Sequence, residues 1–298
     1  TMGVFRVPEI SEEEISRLMV GRDVVLHQEK PPSVKGERVI EVQNLSVCNA
    51  LGQLCLNNVS FNAYRGEIVG VAGIEGNGQT ELVEALCRNA EYREGKIKLL
   101  GTDIRGFSIR QLRKLRVSHI PEDRMTVGIA PNLSITENAL ADKSDEPQFR
   151  TRFGLLRRRN VKQYGAETVK RYQVLCKSPD HSISGLSGGN IQKVVVAREL
   201  SSDPEIVIAN QPTRGVDVGA AEFIRKELLE LRSSGKCVLL VSSDLNELLG
   251  LSDRLLVLCG GSIVACFPDA SSVTEEALGR YMLGIDRQTE IQITEAAR

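Results

Sequence analysis

The sequence predicts an α/β domain whose core is a mixed, mainly parallel sheet with helices on both faces. Residues 67–72 form a short, nearly all-apolar run, which is typical of a strand buried on both faces. Four later apolar runs alternate with helix-length stretches, the order typical of parallel strands. These runs lie at 117–120, 206–209, 238–241 and 254–258. Two earlier runs, at 39–42 and 59–63, instead indicate a pair of antiparallel strands.

The expected helices follow the strands in chain order. The first is expected at 79–88, directly after the buried strand. Later helices are expected at 161–173, 190–200, 221–232 and 245–251. A turn-rich strand at 260–266 then precedes a capped helix at 274–282.

The two ends of the chain differ from this core. Residues 1–38 are expected to form an extension, with a helix at 11–19 begun by a capping box and followed by a polar, proline-bearing linker. The tail at 286–298 is polar and is expected to fray. The domain itself is therefore placed at 39–285.

Composition narrows the possible functions. The chain has 298 residues with a formal net charge of −1, whereas a nucleic-acid binder usually carries a basic excess, so no nucleic-acid partner is expected. Its 41% hydrophobic and 26% charged residues are typical of a soluble globular domain. No apolar run approaches the roughly 18 residues that a membrane-spanning helix needs. Any membrane role is therefore expected to come through a partner.

A glycine-rich turn joins the buried strand to the first helix. Such a turn lets backbone N–H groups surround phosphate oxygens at the positive end of a helix. The full phosphate-binding pattern is G-x-x-x-x-G-K-S/T. Here Gln79 stands at the lysine position, and Thr80 keeps the hydroxyl that would contact Mg²⁺. The candidate nucleotide-binding residues are Gly73, Glu75, Gly76, Asn77, Gly78, Gln79, Thr80 and Glu81.

Two further motifs follow in order. Two glycines precede an amphipathic helix in the sequence LSGGN, which makes another helix N-terminus able to receive an anion. This motif consists of Leu186, Ser187, Gly188, Gly189 and Asn190. The third motif begins with the apolar strand at 206–209 and continues as NQPTRGVDVGA.

These three blocks, in this order and spacing, resemble the ABC ATPase family from about residue 39 to 285. The segments GNGQTELVEAL, HIPEDR, PTRGVDVGA and LSDRLLVL resemble in particular the second, C-terminal ATP-binding domain of tandem ATPases in simple-sugar, nucleoside and riboflavin importers. The resemblance implies a P-loop ABC-type fold with an antiparallel β subdomain and a helical subdomain at about 122–189.

The resemblance also implies cofactor, partners and location. The nucleotide would be ATP, and the first partner another ABC ATPase domain, by this subgroup's habit the N-terminal half of the same polypeptide. Transmembrane permease subunits and an extracytoplasmic solute-binding protein would complete the system. The chain would then lie in the cytoplasm, peripherally on the inner face of the cell membrane. The transported solute is not readable, because the ATPase never touches it.

The family's reactive positions are altered in this sequence. The loop lysine is replaced by a neutral amide, and the acidic residue that would hold Mg²⁺ through a water is an asparagine. The residue that would polarise the attacking water is a glutamine, the switch histidine is a serine, and the family's loop glutamine is a glutamate. The altered positions are Gln79, Asn210, Gln211, Ser243 and Glu122. Because phosphoryl transfer depends on positioning and charge, Mg²⁺ is expected to bind weakly or not at all at this site, and Thr80 is the one candidate ligand.

The signature motif, in contrast, is intact. In ABC dimers the nucleotide lies between the phosphate loop of one domain and the signature of the other. Ser187, Gly188 and Gly189 would therefore serve ATP held by a partner, and Asp217 would belong to the D-loop beside it. The resemblance thus implies an asymmetric pair in which only the partner's catalytic residues hydrolyse ATP.

Other interpretations stay open at this point. The chain could be a competent ATPase that uses unusual residues, or a docking scaffold that binds no nucleotide. A soluble ABC protein of translation or DNA repair is disfavoured by the neutral charge and the importer-like segments. Asn210 and Gln211 are also the isosteric replacements that an engineer would choose, but Ser243 is not, and natural degeneracy is the more economical explanation.

Overall fold

The computed structural model of the protein describes residues 30–32, 34–49 and 51–297. The predicted helix at 11–19 lies outside these described residues. The described chain divides into two compact units. The larger unit comprises Lys30–Pro121, Ser202–Gln211 and Leu228–Arg298, and the smaller comprises Glu122–Ser201 and Pro212–Glu227.

The strands of the described chain all lie in the larger unit and form two sheets. They are β1 (Arg38–Cys48), β2 (Leu54–Tyr64), β3 (Ile68–Ala72), β4 (Glu94–Leu99), β5 (Thr102–Asp103), β6 (Val117–Ile120), β7 (Ile206–Asn210), β8 (Cys237–Val241), β9 (Arg254–Cys259) and β10 (Ser262–Phe267). One sheet is antiparallel, with the order β2-β1-β4-β5. The other has the order β10-β9-β3-β8-β7-β6 and is parallel except for β10. The mixed core sheet and the antiparallel sheet agree with the predicted fold class.

The helices of the described chain match most of the expected positions. They are α1 (Gln79–Leu86), α2 (Ile109–Lys114), α3 (Ile135–Leu140), α4 (Arg158–Arg171), α5 (Gly188–Leu200), α6 (Val218–Ser233), α7 (Leu245–Leu251), α8 (Glu275–Met282) and α9 (Glu290–Ala297). The capping residues act as the sequence indicates; Thr274, for example, accepts a hydrogen bond from the backbone N–H of Ala277 at the start of α8.

The expectation of a frayed tail is wrong. Residues 290–297 form α9, and Ala297 is buried against the core cluster of the larger unit together with Ile293 and Ala296. The chain leading into α9 is also bound to β10, because the side chain of Gln288 accepts a hydrogen bond from the backbone N–H of Cys266. A short polar tail can still form a helix when its few apolar residues pack against a neighbouring sheet.

The central strand β3 is packed so closely that its glycine cannot be replaced by a larger residue without a steric clash. All five of its residues are buried, and it pairs with β8 on one side and β9 on the other. A Cβ atom built on Gly70 would lie 2.2 Å from Ser252 Oγ and 2.7 Å from a methyl carbon of Leu255. A glycine is therefore required here by close packing.

We expect Gly70→Ala to lower the free energy of unfolding by about 1–3 kcal/mol, because the added methyl group overpacks the buried strand. Gly250→Ala is the matched control: no atom lies within 4 Å of the added Cβ, and the residue is in α7. Alanine in a helix should be neutral or stabilising by up to about 1 kcal/mol. Urea unfolding measures both changes. Equal stability of the two variants would contradict the packing argument.

The smaller unit is helical. Its helix α3 packs against both α4 and α5. The contact with α4 is close, since a Cβ on Gly165 would lie 2.2 Å from Thr136 Oγ1. Tyr172 and Phe223 meet edge to face with ring centroids 6.2 Å apart, and burial raises the pKa of the Tyr172 hydroxyl to about 12. Of these helices, α5 begins at the signature motif, and its contact with α3 joins it to the rest of the unit.

Candidate nucleotide-binding and signature sites

The glycine-rich loop runs from the carboxyl end of β3 to the N-terminus of α1. Gly76 and Gly78 have φ angles of 88° and 103°, a region that side chains rarely adopt. A Cβ on Gly78 would also lie 2.5 Å from a methyl carbon of Leu56. The loop is closed by Asn77, whose side chain accepts a hydrogen bond of 2.9 Å from the backbone N–H of Gly260. This backbone is therefore shaped as a phosphate-binding loop requires.

The side chain of Gln79 is folded into that loop. Its Nε2 donates a hydrogen bond of 3.2 Å to the carbonyl oxygen of Ile74. A Cβ built on the buried Gly73 would lie only 2.2 Å from the same nitrogen, so the amide covers this glycine. Thr80 and Glu75 are exposed beside it, and Glu81 lies in the first turn of α1. The loop thus contains a neutral amide where a phosphate site would have a positive charge.

The other altered positions of the larger unit lie at the same edge of the parallel sheet. Asn210 ends β7 and is buried, and Gln211 follows it in the left-handed conformation with φ at 50°. Gln211 Oε1 accepts two hydrogen bonds from Ser243, from the backbone N–H at 3.0 Å and from Oγ at 3.1 Å. Ser243 follows β8, which lies beside β3, and Gln211 follows β7, the next strand beyond β8. The two positions expected to polarise water and to contact the γ-phosphate instead bind each other.

The signature motif begins α5 in the smaller unit. Ser187 is the exposed N-cap residue. Asn190 supports it, because its Nδ2 donates to Ser187 Oγ at 2.8 Å while its Oδ1 accepts from the backbone N–H of Leu175 at 2.7 Å. Leu186, half-buried, precedes the cap. The helix N-terminus is thereby held with its serine facing solvent.

The two signature glycines allow close approach of neighbouring segments. A Cβ on Gly189 would lie 2.4 Å from Asp217 Oδ2 and 2.9 Å from Ala220 Cβ. Asp217 itself accepts a hydrogen bond of 2.9 Å from the backbone N–H of Ala220 at the start of α6. The signature and the predicted D-loop residue are therefore in direct contact.

Two arginines that the sequence reasoning did not single out connect these segments. Arg124 donates hydrogen bonds to the carbonyl oxygens of Arg214, at 2.7 Å, and Gly215, at 3.0 Å. A Cβ on Gly188 would lie 2.9 Å from the same guanidinium group. Arg214 in turn forms an ion pair with Glu122. The segments HIPEDR and PTRGVD contain both arginines, but only the folded chain brings them together.

The two arginines and their neighbours line a cavity of about 530 Å³. Its lining residues are Glu122, Asp123, Arg124, Met125, Arg214 and Gly215. Hydrogen bonds from the hydroxyl and the backbone N–H of Thr126 lower the pKa of the Asp123 carboxyl group, and the N–H of Met125 contributes to the same effect. Asp123 is therefore a charged cap for the helical turn that follows it.

The site residues thus form two sets in two units. The loop residues, Asn210, Gln211 and Ser243 belong to the larger unit, while Glu122, the signature and Asp217 belong to the smaller. Among the residues that the structure describes, no three His, Cys, Asp or Glu side chains converge as a metal-binding group. The glycine loop has the positive φ angles typical of a backbone that closes around a phosphate, and Gln79, Asn210, Gln211 and Ser243 are all uncharged side chains.

Comparison with known proteins identifies relatives along most of the chain. The family described as ABC transporter matches residues 56–214. The nucleoside import ATP-binding protein NupA of Lactococcus lactis subsp. cremoris is 37% identical over 274 residues, which cover 92% of this chain and 54% of NupA. The glucose import ATP-binding protein TsgD13 of Haloferax volcanii is 37% identical over 287 residues, covering 96% of this chain and 51% of that protein. The chain therefore spans about half the length of the curated relatives it matches.

Solved structures agree in fold. The ATP-binding cassette MJ0796, in a dimeric post-hydrolysis state bound to ADP and Pi, matches with a TM-score of 0.64 at 23% sequence identity. The match covers 76% of this chain and 97% of that cassette. No helix among the described residues is long and apolar enough to cross a membrane. The likeness confirms the predicted fold class.

Proposed function

Because this chain belongs to the ABC transporter family as an ATP-binding domain, we propose that it is the degenerate half of an importer motor. Its own phosphate loop does not hydrolyse ATP, and its signature motif serves ATP held by a partner domain. The observation that carries this proposal is the contrast between the two sites: Gln211 and Ser243 are bound to each other, whereas Ser187 at the signature is exposed and supported.

ATP supplies the phosphoryl group whose transfer to water drives such a motor. At the chain's own loop, backbone N–H groups would hold the phosphates, with Thr80 as the one hydroxyl at the Mg²⁺ position and no positive charge from Gln79. At the shared site, the N-terminus of α5 presents Ser187, Gly188 and Gly189 to the partner's nucleotide. A helix N-terminus stabilises negative charge without a basic side chain, so this half of the site needs none of the altered residues.

The relatives support a proposal for the assembly. NupA and TsgD13 are named as nucleoside and glucose import ATP-binding proteins, and the matched residues of this chain cover 54% and 51% of their lengths. We therefore propose the other half of a tandem polypeptide as the partner ATPase domain, with permease subunits and an extracytoplasmic solute-binding protein completing the system. The solute would be a nucleoside, riboflavin or a simple sugar. The domain would act in the cytoplasm, on the inner face of the membrane.

ATP turnover by the purified chain tests the proposal. The unaltered chain is expected to show background turnover. A variant with Gln79→Lys, Asn210→Asp, Gln211→Glu and Ser243→His is expected to hydrolyse ATP at least about tenfold faster, because each restored group is worth about 10²–10³ in rate by analogy with other charge-stabilising groups. The same variant without Gln211→Glu is the matched control and should stay near background.

The outcomes separate the alternatives. ATP turnover well above background in the unaltered chain would contradict the proposal and favour a competent ATPase with unusual residues. Absence of ATP binding at millimolar nucleotide would favour a docking scaffold. A complete, lysine-bearing phosphate loop in the coding sequence that precedes Thr1 would support the tandem arrangement.

A further inference from the structure

A short hairpin projects between α3 and α4 of the smaller unit. Arg150 and Leu156 form an antiparallel bridge. Within it the backbone N–H of Thr151 donates to the carbonyl oxygen of Leu155 at 2.8 Å, and Gly154 turns the chain with φ at 80°. We call residues 151–157 the hairpin tip. Its backbone is held by hydrogen bonds of its own, so its side chains are presented in a defined arrangement.

The hairpin tip exposes three large apolar side chains. Phe153 is 88% exposed, Leu155 69% and Leu156 48%. The preceding Phe149, in contrast, is buried and meets Tyr164 edge to face with ring centroids 5.2 Å apart. A single exposed apolar residue needs no explanation, but three within four positions on a turn form a patch of the kind that marks an interaction site.

Arginines surround this patch. Arg150, which pairs with Asp145 at 2.7 Å, begins the hairpin, and Arg152 lies within the tip. Arg157 ends the tip, Arg158 and Arg159 follow it, and all three are exposed. The sequence between residues 146 and 162 therefore carries several positive charges around the apolar tip.

The last three arginines lie at the N-terminus of α4, where positive charge is unfavourable. Arg157 is the N-cap of α4 and makes no side-chain capping hydrogen bond, and the first turn contains no acidic residue. Positive charge near a helix N-terminus opposes the helix dipole, so this position normally favours Asp or Glu. The Nε of Arg157 donates a hydrogen bond of 3.0 Å to the carbonyl oxygen of Arg150, so this arginine also helps to close the hairpin. The stability of α4 does not explain Arg158 and Arg159, which points to a ligand outside the chain.

We propose that the hairpin tip binds the surface of an anionic lipid bilayer. Phe153, Leu155 and Leu156 would enter the boundary between headgroups and acyl chains, while the arginines pair with lipid phosphates. A projecting turn with apolar residues at its end and a basic surround matches the chemistry of such a surface. Neither the altered phosphate loop nor the signature takes part, so this inference stands apart from the proposed function.

Sedimentation with lipid vesicles tests the inference on the purified chain. One set of vesicles is phosphatidylcholine alone, and the other contains about a third phosphatidylglycerol. We expect binding to the anionic vesicles only, weakening as salt is added because exposed charges are screened. Phe153→Ser with Leu155→Ser should weaken it about tenfold or more, as should Arg152→Gln with Arg158→Gln and Arg159→Gln.

The matched control is Leu175→Ser with Lys177→Gln. It changes an exposed leucine, 77% exposed, and a nearby exposed lysine in the same unit but outside the hairpin. This variant should bind as the unaltered chain does, and all variants should keep the same Tm. Equal binding to both vesicle types, or no loss in the hairpin variants, would overturn the inference. Binding to purified permease but to neither vesicle, lost in the same variants, would also overturn it and assign the tip to a protein partner.

Discussion

Arg254→Ala is expected to lower the free energy of unfolding by about 3–5 kcal/mol, because it leaves a buried carboxylate without its positively charged partner. Arg254 is 2% exposed, and its guanidinium group meets both oxygens of Glu67, at 2.9 and 3.1 Å. It also donates to the carbonyl oxygens of Asn62 and Ala296, so a single side chain joins β2, β9 and α9. Urea unfolding at neutral pH measures the change.

An exposed ion pair provides the control. Arg280 pairs with Asp286 at 2.6 Å, but the two side chains are 52% and 37% exposed to solvent. Arg280→Ala should therefore cost far less stability, since water replaces the lost partner. The double variant Glu67→Met with Arg254→Met should recover part of the loss, because it removes both buried charges. Similar losses for Arg254→Ala and Arg280→Ala would contradict the assignment of the cost to burial.

The second large effect is expected at the signature. In the proposed pair with a partner ATPase domain, Gly189→Ala should lower ATP turnover by about 10²–10³, the usual cost of losing one charge-stabilising group. The added Cβ would collide with Asp217 Oδ2 and Ala220 Cβ, so the N-terminus of α5 and the start of α6 would be displaced together. Steady-state turnover at saturating ATP measures the effect.

Gly185→Ala is the matched control for this substitution. Gly185 ends the short turn just before the signature, and no atom lies within 4 Å of a Cβ placed there. Turnover should therefore remain close to that of the unaltered pair. If Gly189→Ala left turnover unchanged while Gly185→Ala behaved likewise, the signature of this chain would not serve the partner's ATP.

Apolar patterning was sufficient to predict the strands of the core sheet and most of the helices that follow them. The strand Val117–Ile120 and the helix Leu245–Leu251 have the bounds that their apolar runs indicate. The strand Glu94–Leu99 was missed, because its alternating lysines give no continuous apolar run. The helix Ile109–Lys114 was also missed, although Ser108 and Gln111 form a capping box before it, a signal that the sequence contained.

Long-range contacts explain the remaining differences. The tail was expected to fray, but α9 forms because Ala297 and Ile293 pack against the core cluster and Arg254 donates a hydrogen bond to the carbonyl oxygen of Ala296 near the end of the helix. Helix propensity, read from the local sequence, does not reveal such burial, because most helical stability in proteins comes from tertiary packing. The roles of Arg124 and Arg214 were missed for the same reason, because the residues they join are about 90 positions apart.

The sequence alone determined the family, the fold class and the chemical identity of each altered position: an amide at Gln79, Asn210 and Gln211 and a hydroxyl at Ser243. Only the tertiary structure decided what those groups do. Gln79 turns back to Ile74, and Gln211 and Ser243 bind each other, because parallel strands bring their carboxyl ends to one edge of the sheet. The requirement for glycine in the signature is likewise visible only in the fold, because the close approach of Asp217 excludes a side chain at Gly189.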